Sequence, residues 1–173
     1  MAESTKQRLA EAMKRLLLMK PLDKIYATEI CRGAGIERPT FRYYFKDKYD
    51  LMAWIFFRAP FEGDITDTDQ MTAAMNQMRS DFIFYKRTYE EPSQNPFWEY
   101  VLEFFVERYT DIAKKKLGTD LLDQELICCI RLYCHGLIGM MREWLLKDDI
   151  TSARMFVKMM VAVMPKQLKE VVL

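Results

Sequence analysis

Residues that build metal sites, phosphate-binding loops and turns are scarce in this chain. Its 173 residues include one His, four Cys, six Gly and six Pro. No two Cys form a Cys-x-x-Cys pattern, so a zinc site would be difficult to assemble. The sequence also contains no Gly-rich phosphate loop and no nucleophile motif. We therefore expect no metal and no cofactor, and an enzyme is the least favoured class of function.

The shortage of Gly and Pro also bears on the fold class. Few turn residues in a chain that is 50% hydrophobic favour long helices over a many-stranded sheet. The longest apolar stretch, 126–146, contains Arg131, His135, Arg142 and Glu143, so it does not have the composition of a membrane span. The first residues, MAESTK, do not resemble a signal peptide. The sequence predicts an all-α, cytoplasmic protein without a membrane segment.

Positive charge is concentrated in the first third of the chain. Residues 1–58 contain twelve Lys or Arg and seven Asp or Glu, a net charge of +5. Residues 59–173 contain fourteen and eighteen, a net charge of −4. This asymmetry is typical of a nucleic-acid-binding module joined to a module of another kind, and it is also compatible with ordinary surface charge. We predict two domains, 1–58 and 59–173, with the boundary in the sequence APFEGDITDT.

One stretch, 28–48, has the pattern of a helix-turn-helix. It reads TEICRGAGIERPTFRYYFKDK, in which Thr28 can cap a first short helix and two glycines can end it. A second helix is expected from Glu37 to Phe45, and in this motif the second helix enters the DNA major groove. Lys48 is expected to contact a phosphate. The side chains predicted to bind double-stranded DNA are Thr28, Arg38, Pro39, Thr40, Arg42, Tyr43, Tyr44, Lys46 and Lys48.

The motif TFRYYFKDK at 40–48 resembles the DNA-binding signature of the TetR family of bacterial transcriptional regulators. The similarity extends over 6–57, which corresponds to the whole N-terminal domain of that family. The segments KPLDKI at 20–25 and KYDLMAWI at 48–55 further resemble a Gram-positive branch that includes dihydroxyacetone kinase regulators. The resemblance implies an N-terminal three-helix helix-turn-helix domain and a helical C-terminal domain that binds an effector and dimerises.

The C-terminal part of the sequence agrees with this division into two domains. Helices are predicted at about 68–85, 97–117, 120–147 and 151–171. In the resembled family the last two helices pair with those of a second subunit to form a homodimer. The apolar stretch 126–146 and its Gly136 and Gly139 would permit such close helix packing, whereas in a monomer they would form a buried centre.

Aromatic and polar side chains on these helices are candidates for an effector pocket. Such side chains at helical spacing belong to a hydrophobic core more often than to a pocket, so both interpretations stay open. The effector itself is unknown and could be a small molecule or a protein. The residues predicted to line the pocket are Phe82, Trp98, Phe105, Tyr109, Arg131 and His135.

Two functions remain open for the whole chain. The favoured one is a homodimeric DNA-binding regulator, usually a repressor in the resembled family, which binds a palindromic operator under the control of an effector. The alternative is an all-helical protein-interaction module or co-regulator with a weak or vestigial DNA-binding head. Glu37 and Pro39 favour the alternative, because Glu37 would repel a nearby phosphate and Pro39 departs from the family pattern. Arg42 departs from that pattern as well, so the operator sequence is not implied.

Overall fold

The computed structural model describes residues 4–81, 97–146 and 151–173, and within these ranges it contains helices and no strand. The α-helices are α1 (Thr5–Met19), α2 (Ala27–Ala34), α3 (Arg38–Tyr44), α4 (Lys48–Ala53), α5 (Thr68–Ser80), α6 (Phe97–Leu117), α7 (Gln124–Leu146), α8 (Ala153–Ala162) and α9 (Lys166–Val172). A 3-10 turn, Leu22–Lys24, precedes α2, and a π-helical turn, Trp54–Arg58, continues α4. None of the helices in the described ranges is long and apolar enough to cross a membrane.

The described residues form two compact units. The head unit comprises 4–59, 80–81 and 97–100, and the body unit comprises 60–79, 101–146 and 151–173. The first turn of α6 therefore belongs to the head, which the sequence-based boundary after residue 58 does not anticipate. Its aromatic rings give the physical reason, since Phe97 and Trp98 lie with their ring centroids 5.4 and 5.9 Å from that of Phe57.

The first helix of the head begins at a capping box that the sequence predicts. Ser4 Oγ accepts the N–H of Gln7 at 3.2 Å, and Gln7 Oε1 accepts the N–H of Ser4 at 2.9 Å. Leu9, Met13 and Leu17 follow at helical spacing and are buried. This apolar face makes α1 one wall of the small core that supports the helix-turn-helix.

The second helix begins one residue before Thr28, so the predicted cap at Thr28 is wrong. The N-cap residue is Tyr26, whose backbone N–H donates to Glu29 Oε2 at 3.0 Å. The other oxygen of Glu29 lies 2.6 Å from Lys20 Nζ. A carboxylate inside the first turn therefore determines where α2 begins, and Thr28 is exposed within that turn.

The fourth helix changes its winding part of the way along. Asp47 caps α4, because its Oδ1 accepts the N–H groups of Tyr49 and Asp50 at 2.8 and 2.9 Å. From Trp54 the helix becomes a π turn, closed by a 2.9 Å hydrogen bond from the Ala59 N–H to the Trp54 carbonyl. The sequence predicts one helix here but not the change of winding.

The helices of the body begin at capping side chains and end at residues that interrupt a helix. Asp67 Oδ1 accepts the N–H of Gln70 at 2.8 Å at the start of α5, as the sequence predicts. Gly118 takes the left-handed conformation, with φ +65°, and ends α6 at the expected place. The helix α7 begins at Gln124, later than the predicted start at about 120, because Asp123 supplies the capping oxygen.

The last predicted helix is two helices. Ser152 caps α8 by accepting the N–H of Met155 at 3.2 Å. Pro165 then separates α8 from α9, since proline has no N–H to continue the helix and disfavours a helical residue before it. A single helix over 151–171 was therefore the wrong expectation, and the position of Pro165 was a signal in the sequence that could have corrected it.

Candidate nucleic-acid interface

The turn between α2 and α3 is held in place by glycine and by two arginines of α1. Gly35 adopts φ +63°, a conformation that L side chains rarely take. Arg8 Nη2 donates to the carbonyls of Ala34 and Gly35 at 2.6 and 3.1 Å, and Arg15 Nη2 donates to that of Gly33 at 3.0 Å. These guanidinium groups satisfy carbonyls at the end of α2 and attach α1 to the turn.

The inner face of α3 is aromatic and packs against the head core. Phe41 and Phe45 are 2% exposed, and their ring centroids lie 6.0 Å apart. Phe45 also meets the ring of Trp54 at 5.8 Å. Ile30 of α2 is fully buried. These contacts fix which face of α3 is turned outward, as the apolar spacing in the sequence predicts.

The outer face of α3 carries the side chains predicted to bind DNA. Tyr43 is 82% exposed, and its ring meets that of Tyr44 edge to face at 4.9 Å. Arginine can bind guanine with two hydrogen bonds, whereas Tyr, Thr and Lys can reach phosphate oxygens. The structure places eight of the nine predicted residues on the surface: Thr28, Arg38, Pro39, Thr40, Arg42, Tyr43, Tyr44 and Lys46.

A groove of about 450 Å³ runs beside this face within the head unit. Its cationic side chains include Arg38, Arg42 and Lys46, and Tyr26 and Ala27 at the start of α2 line its other side. Guanidinium and ammonium groups bind phosphate oxygens through charge-assisted hydrogen bonds. The groove therefore has the charge and the donors to hold a phosphate of a nucleic-acid backbone.

Lys48, the ninth predicted residue, lies in a different environment. It is half-buried, and its Nζ donates to the carbonyls of Leu22, Asp23 and Ile25 at 2.6, 3.2 and 3.0 Å. The ammonium group thus binds the turn that leads into α2. A phosphate contact by Lys48 stays a prediction, but the structure assigns its three N–H groups to the protein itself.

Asp47 connects the end of the helix-turn-helix to the first turn of α6. Besides capping α4, its Oδ2 accepts the hydroxyl of Tyr100 at 2.9 Å. Burial and this hydrogen bond to a carboxylate raise the pKa of Tyr100 well above its usual value. The raised pKa of Tyr100 favours its protonated hydroxyl, which is the form that donates to Asp47.

The body unit does not bring the predicted effector residues together. Arg131 and His135 are exposed on α7, and Arg131 Nη2 lies 3.3 Å from Glu103. Trp98 belongs to the head unit, and Phe105 packs on Phe61 with the ring centroids 5.3 Å apart. Phe82 lies outside the described residues. Of the six, Tyr109 lines an apolar cavity of the body unit.

That cavity is small. It offers about 20 Å³, which is the space that one water molecule needs. Tyr109 and Tyr133 meet there edge to face at 5.6 Å, their hydroxyls are hydrogen-bonded, and Tyr133 donates to the Met160 carbonyl at 3.0 Å. Burial raises the pKa of Tyr133 to about 12. Methionines, which the sequence signals by their number, form much of the wall: Met71, Met75, Met141, Met160 and Met164.

A more open cleft of about 360 Å³ lies between the segment 60–65 and α5. Phe61, Ile65 and Met71 give it an apolar floor, and Gln70 and Gln77 stand at its edge. Its volume falls in the range of small-molecule sites. None of its residues was among the six predicted, because the cleft depends on how a loop folds against a helix.

Comparison with known proteins gives a family match and two similar folds. The TetR family model described as a transcriptional regulator C-terminal region matches residues 68–166. The solved structure of the dihydroxyacetone kinase operon activator DhaS is 18% identical, with a TM-score of 0.56, and the match covers 98% of both chains. The TetR family repressor AlkX from Dietzia sp. strain DQ12-45-1b, implicated in biodegradation of n-alkanes, is 11% identical, with a TM-score of 0.52. That match covers 96% of this chain and 98% of AlkX. No curated protein matches the sequence.

The family match spans more than half of the chain, and the structural similarity extends over nearly all of it. Both similar structures are regulators of transcription, and the fold they share with this chain is a helix-turn-helix head followed by a helical body. This agrees with the exposed basic face of α3 and with the resemblance noted at 40–48. The chain therefore belongs to the TetR family of transcriptional regulators.

Proposed function

We propose that the chain is a homodimeric repressor that binds a palindromic operator through α3 of each subunit. The observation that carries this proposal is the outer face of α3, where cationic and aromatic side chains are exposed while Phe41 and Phe45 fix the helix from behind. Repression requires only that the protein occupy its DNA, which these features support. The protein would act in the cytoplasm, where bacterial DNA is found.

A second copy of the chain is the proposed partner of α7 and α8. These helices are joined by the Tyr133–Met160 hydrogen bond and by the rings of Trp144 and Phe156, 5.2 Å apart. Their outward faces carry exposed apolar side chains and two glycines, beside which an added Cβ would meet no atom within 4 Å. The exposed apolar residues are Leu132, Met140, Met155, Met159 and Val163.

Control by an effector is proposed for the body unit. The cleft beside α5 has the size for a small apolar molecule with a hydrogen-bonding group, and Gln70 and Gln77 could bind that group. The tyrosine-lined cavity would have to open before it could take a ligand, because its present space is that of one water molecule. The alternative is a protein effector, which would need neither the cleft beside α5 nor the tyrosine-lined cavity.

The test of DNA binding is a fluorescence anisotropy titration with duplexes that the protein selects from a random pool. We expect tight binding to a palindromic sequence and a steep loss of affinity with salt. Arg42→Ala should weaken binding to the selected duplex by about 5- to 150-fold, because an arginine contact to a base is worth about 1–3 kcal/mol. Lys116→Ala, an exposed charge change on the body unit, is the matched control and should leave affinity nearly unchanged.

The same titration decides between the two functions. Weak binding that is equal for selected and scrambled duplexes would contradict the repressor proposal and favour the interaction module. Candidate small molecules added to the preformed complex then test effector control, since an effector must release DNA by its difference in affinity for the two states. Transcription from a template carrying the selected site shows whether occupancy represses or activates.

A further inference from the structure

The segment 60–65, which forms one wall of the cleft beside α5, is held by side chains from two helices. Gln70 Oε1 of α5 accepts the N–H of Asp64 at 2.9 Å. Arg108 Nη2 of α6 donates to the carbonyl of Gly63. The wall is therefore fixed before a ligand arrives, and a preformed wall lowers the entropic cost of binding.

Glycine at position 63 allows this arrangement. A Cβ added there would overlap Gln70 Oε1, so a larger residue would displace the amide from the Asp64 N–H. The oxygen of Gln70 thus serves the wall, while its amide N–H groups are not used in that bond. Because Gln70 also lines the cleft, one side chain both positions the wall and borders the space beside it.

The floor of the cleft is apolar and belongs to the core of the body unit. Phe61, Ile65 and Met71 line it and are buried. Ala73 of α5 also lines it but is exposed, and its small side chain leaves room in the cleft. The volume of about 360 Å³ lies at the lower end of the range for small-molecule sites. The cleft therefore suits a small, largely apolar molecule.

Charge is distributed unequally on the two sides of the segment. Arg108, Lys115 and Lys116 line a separate groove between the segment and α6. Of the described residues that line the cleft, Asp64 alone carries a charge. Hydrogen bonds from the Thr66 hydroxyl and N–H lower the pKa of Asp64, which keeps its carboxylate ionised at neutral pH. A negatively charged ligand would therefore lose its water and meet a carboxylate instead of a cation.

We propose that this cleft is the effector site and that its ligand is a largely apolar small molecule without negative charge. The inference rests on the proposed function, because only a regulator that binds DNA has an effector to respond to. It deepens that function by naming the class of ligand. Organic acids and phosphate esters are excluded by the carboxylate of Asp64, whereas amines and uncharged molecules are not.

Two fluorescent probes with the same ring system test the class of ligand. Phenylnaphthylamine is uncharged, and anilinonaphthalene sulfonate adds one sulfonate group. Titrated into the full-length protein at neutral pH without DNA, the uncharged probe should bind about tenfold more tightly or better. Asp64→Asn keeps an oxygen for the Thr66 bonds and removes the charge, so it should strengthen binding of the sulfonate probe about fivefold. The uncharged probe should bind this variant as it binds wild type, which controls for its greater hydrophobicity.

Two substitutions on α5 locate the binding. Ala73→Phe fills the cleft from an exposed position, and Asn76→Phe adds the same ring at an exposed position that does not line the cleft. Ala73→Phe should weaken binding of phenylnaphthylamine about tenfold or more, whereas Asn76→Phe should leave it nearly unchanged. Circular dichroism of both variants shows that the fold is retained.

The outcomes separate the parts of the proposal. Equal affinity of phenylnaphthylamine for Ala73→Phe and Asn76→Phe would overturn the cleft as the site. Sulfonate binding that Asp64→Asn does not strengthen would overturn the class of ligand. Saturating phenylnaphthylamine should also change the affinity for the selected duplex in Asn76→Phe and not in Ala73→Phe, and an unchanged affinity in both would overturn the effector role.

Failure of the proposed function would look different. In that case the wild-type protein would bind selected and scrambled duplexes equally, with or without a probe. The probe titrations of Ala73→Phe and Asp64→Asn need no DNA, so they would still decide where the ligand binds and which charge it carries.

Discussion

At the scale of the residue, Glu29 shows how a single carboxylate can determine the start of a helix and confer a pH dependence. The hydrogen bond from Lys20, followed by that from the Tyr26 N–H, lowers the pKa of Glu29 below its ordinary value of 4.5. A lowered pKa means that the folded state prefers the carboxylate more than the unfolded state does. The stabilisation is therefore present above about pH 4.5 and is lost as the pH falls through the lowered value.

We expect Glu29→Gln to lower the unfolding temperature of the protein at pH 7, because a neutral amide gives up the charged bond to Lys20. The difference from wild type should shrink as the pH falls from 4.5 through the lowered pKa of Glu29, because the wild-type carboxylate then also becomes protonated. Thermal unfolding followed by circular dichroism, at pH 7 and at a series of acidic pH values, measures this difference in unfolding temperature. Glu37→Gln, an exposed change at the cap of α3, is the control and should leave the unfolding temperature unchanged. A Glu29→Gln difference that did not shrink at all as the pH was lowered would contradict the assignment.

At the scale of the element, the start of α4 depends on a side chain from another helix. Asp47 accepts three hydrogen bonds, two from the backbone of α4 and one from the Tyr100 hydroxyl of α6. We expect Tyr100→Phe to cost about 0.5–1.5 kcal/mol, the net value of one hydrogen bond, and to lower the unfolding temperature by a few degrees.

The matched control is Tyr43→Phe, which removes the hydroxyl of a side chain that is 82% exposed. It should leave the unfolding temperature of the free protein unchanged. Thermal unfolding of both variants without DNA is the measurement. Equal unfolding temperatures for Tyr100→Phe and wild type would show that the Asp47–Tyr100 bond does not stabilise the head.

Elements that depend on local signals could be predicted from the sequence. The capping box at Ser4, the turn at Gly35 and the end of α6 at Gly118 all lie where the residues indicated. Predictions failed where the structure depends on an unexpected capping residue or on an unusual helical winding. The start of α2 depends on Glu29 rather than on Thr28. The π turn after Ala53 leaves no mark in the spacing of apolar residues along the sequence.

The candidate site likewise has features that could be predicted from the sequence and features that could not. Eight of the nine residues predicted to bind DNA are exposed, and for those on α3 this follows from the apolar spacing of Phe41 and Phe45. The environment of Lys48 could not, because its acceptors lie more than twenty residues away in the chain. The effector pocket stays a prediction, because which side chains share a cavity depends on the packing of segments that are distant in the sequence. Arg131 and His135 were assigned to a pocket by their polarity, yet they lie on the exposed side of α7.

At the scale of the whole molecule, the proposed dimer determines how the protein would engage a palindrome. Two heads related by two-fold symmetry would bind half-sites about 34–36 Å apart or a multiple of that distance. The exposed apolar faces of α7 and α8 are the surfaces that would create this symmetry. Because a dimer is favoured by mass action, its unfolding temperature should rise with protein concentration.

We expect the double variant Leu132→Glu with Met159→Glu to convert the dimer to a monomer, because both substitutions place charge on the proposed interface. Light scattering should show a fall from twice the chain mass to 20.6 kDa, and the unfolding temperature should lose its concentration dependence. Leu121→Glu is the control, since Leu121 is 86% exposed and lies before α7. A wild-type protein that already measured 20.6 kDa at micromolar concentration would refute the dimer.

The hydrogen bonds from Lys48 to the carbonyls of Leu22, Asp23 and Ile25 also define which part of the chain can be exchanged between regulators. The segment from Leu22 to Lys48 contains both the carbonyls and the ammonium group that close it, so it can be grafted as one cassette. A graft that began at α2 would leave the ammonium group without its acceptors. The recipient must in turn offer two arginines where Arg8 and Arg15 stand, because the carbonyls at the end of α2 depend on them. Lys20 must be kept as well, because it binds Glu29 at the start of α2. Engineering a new operator specificity on this scaffold therefore requires exchanging 27 consecutive residues and keeping at least these three others.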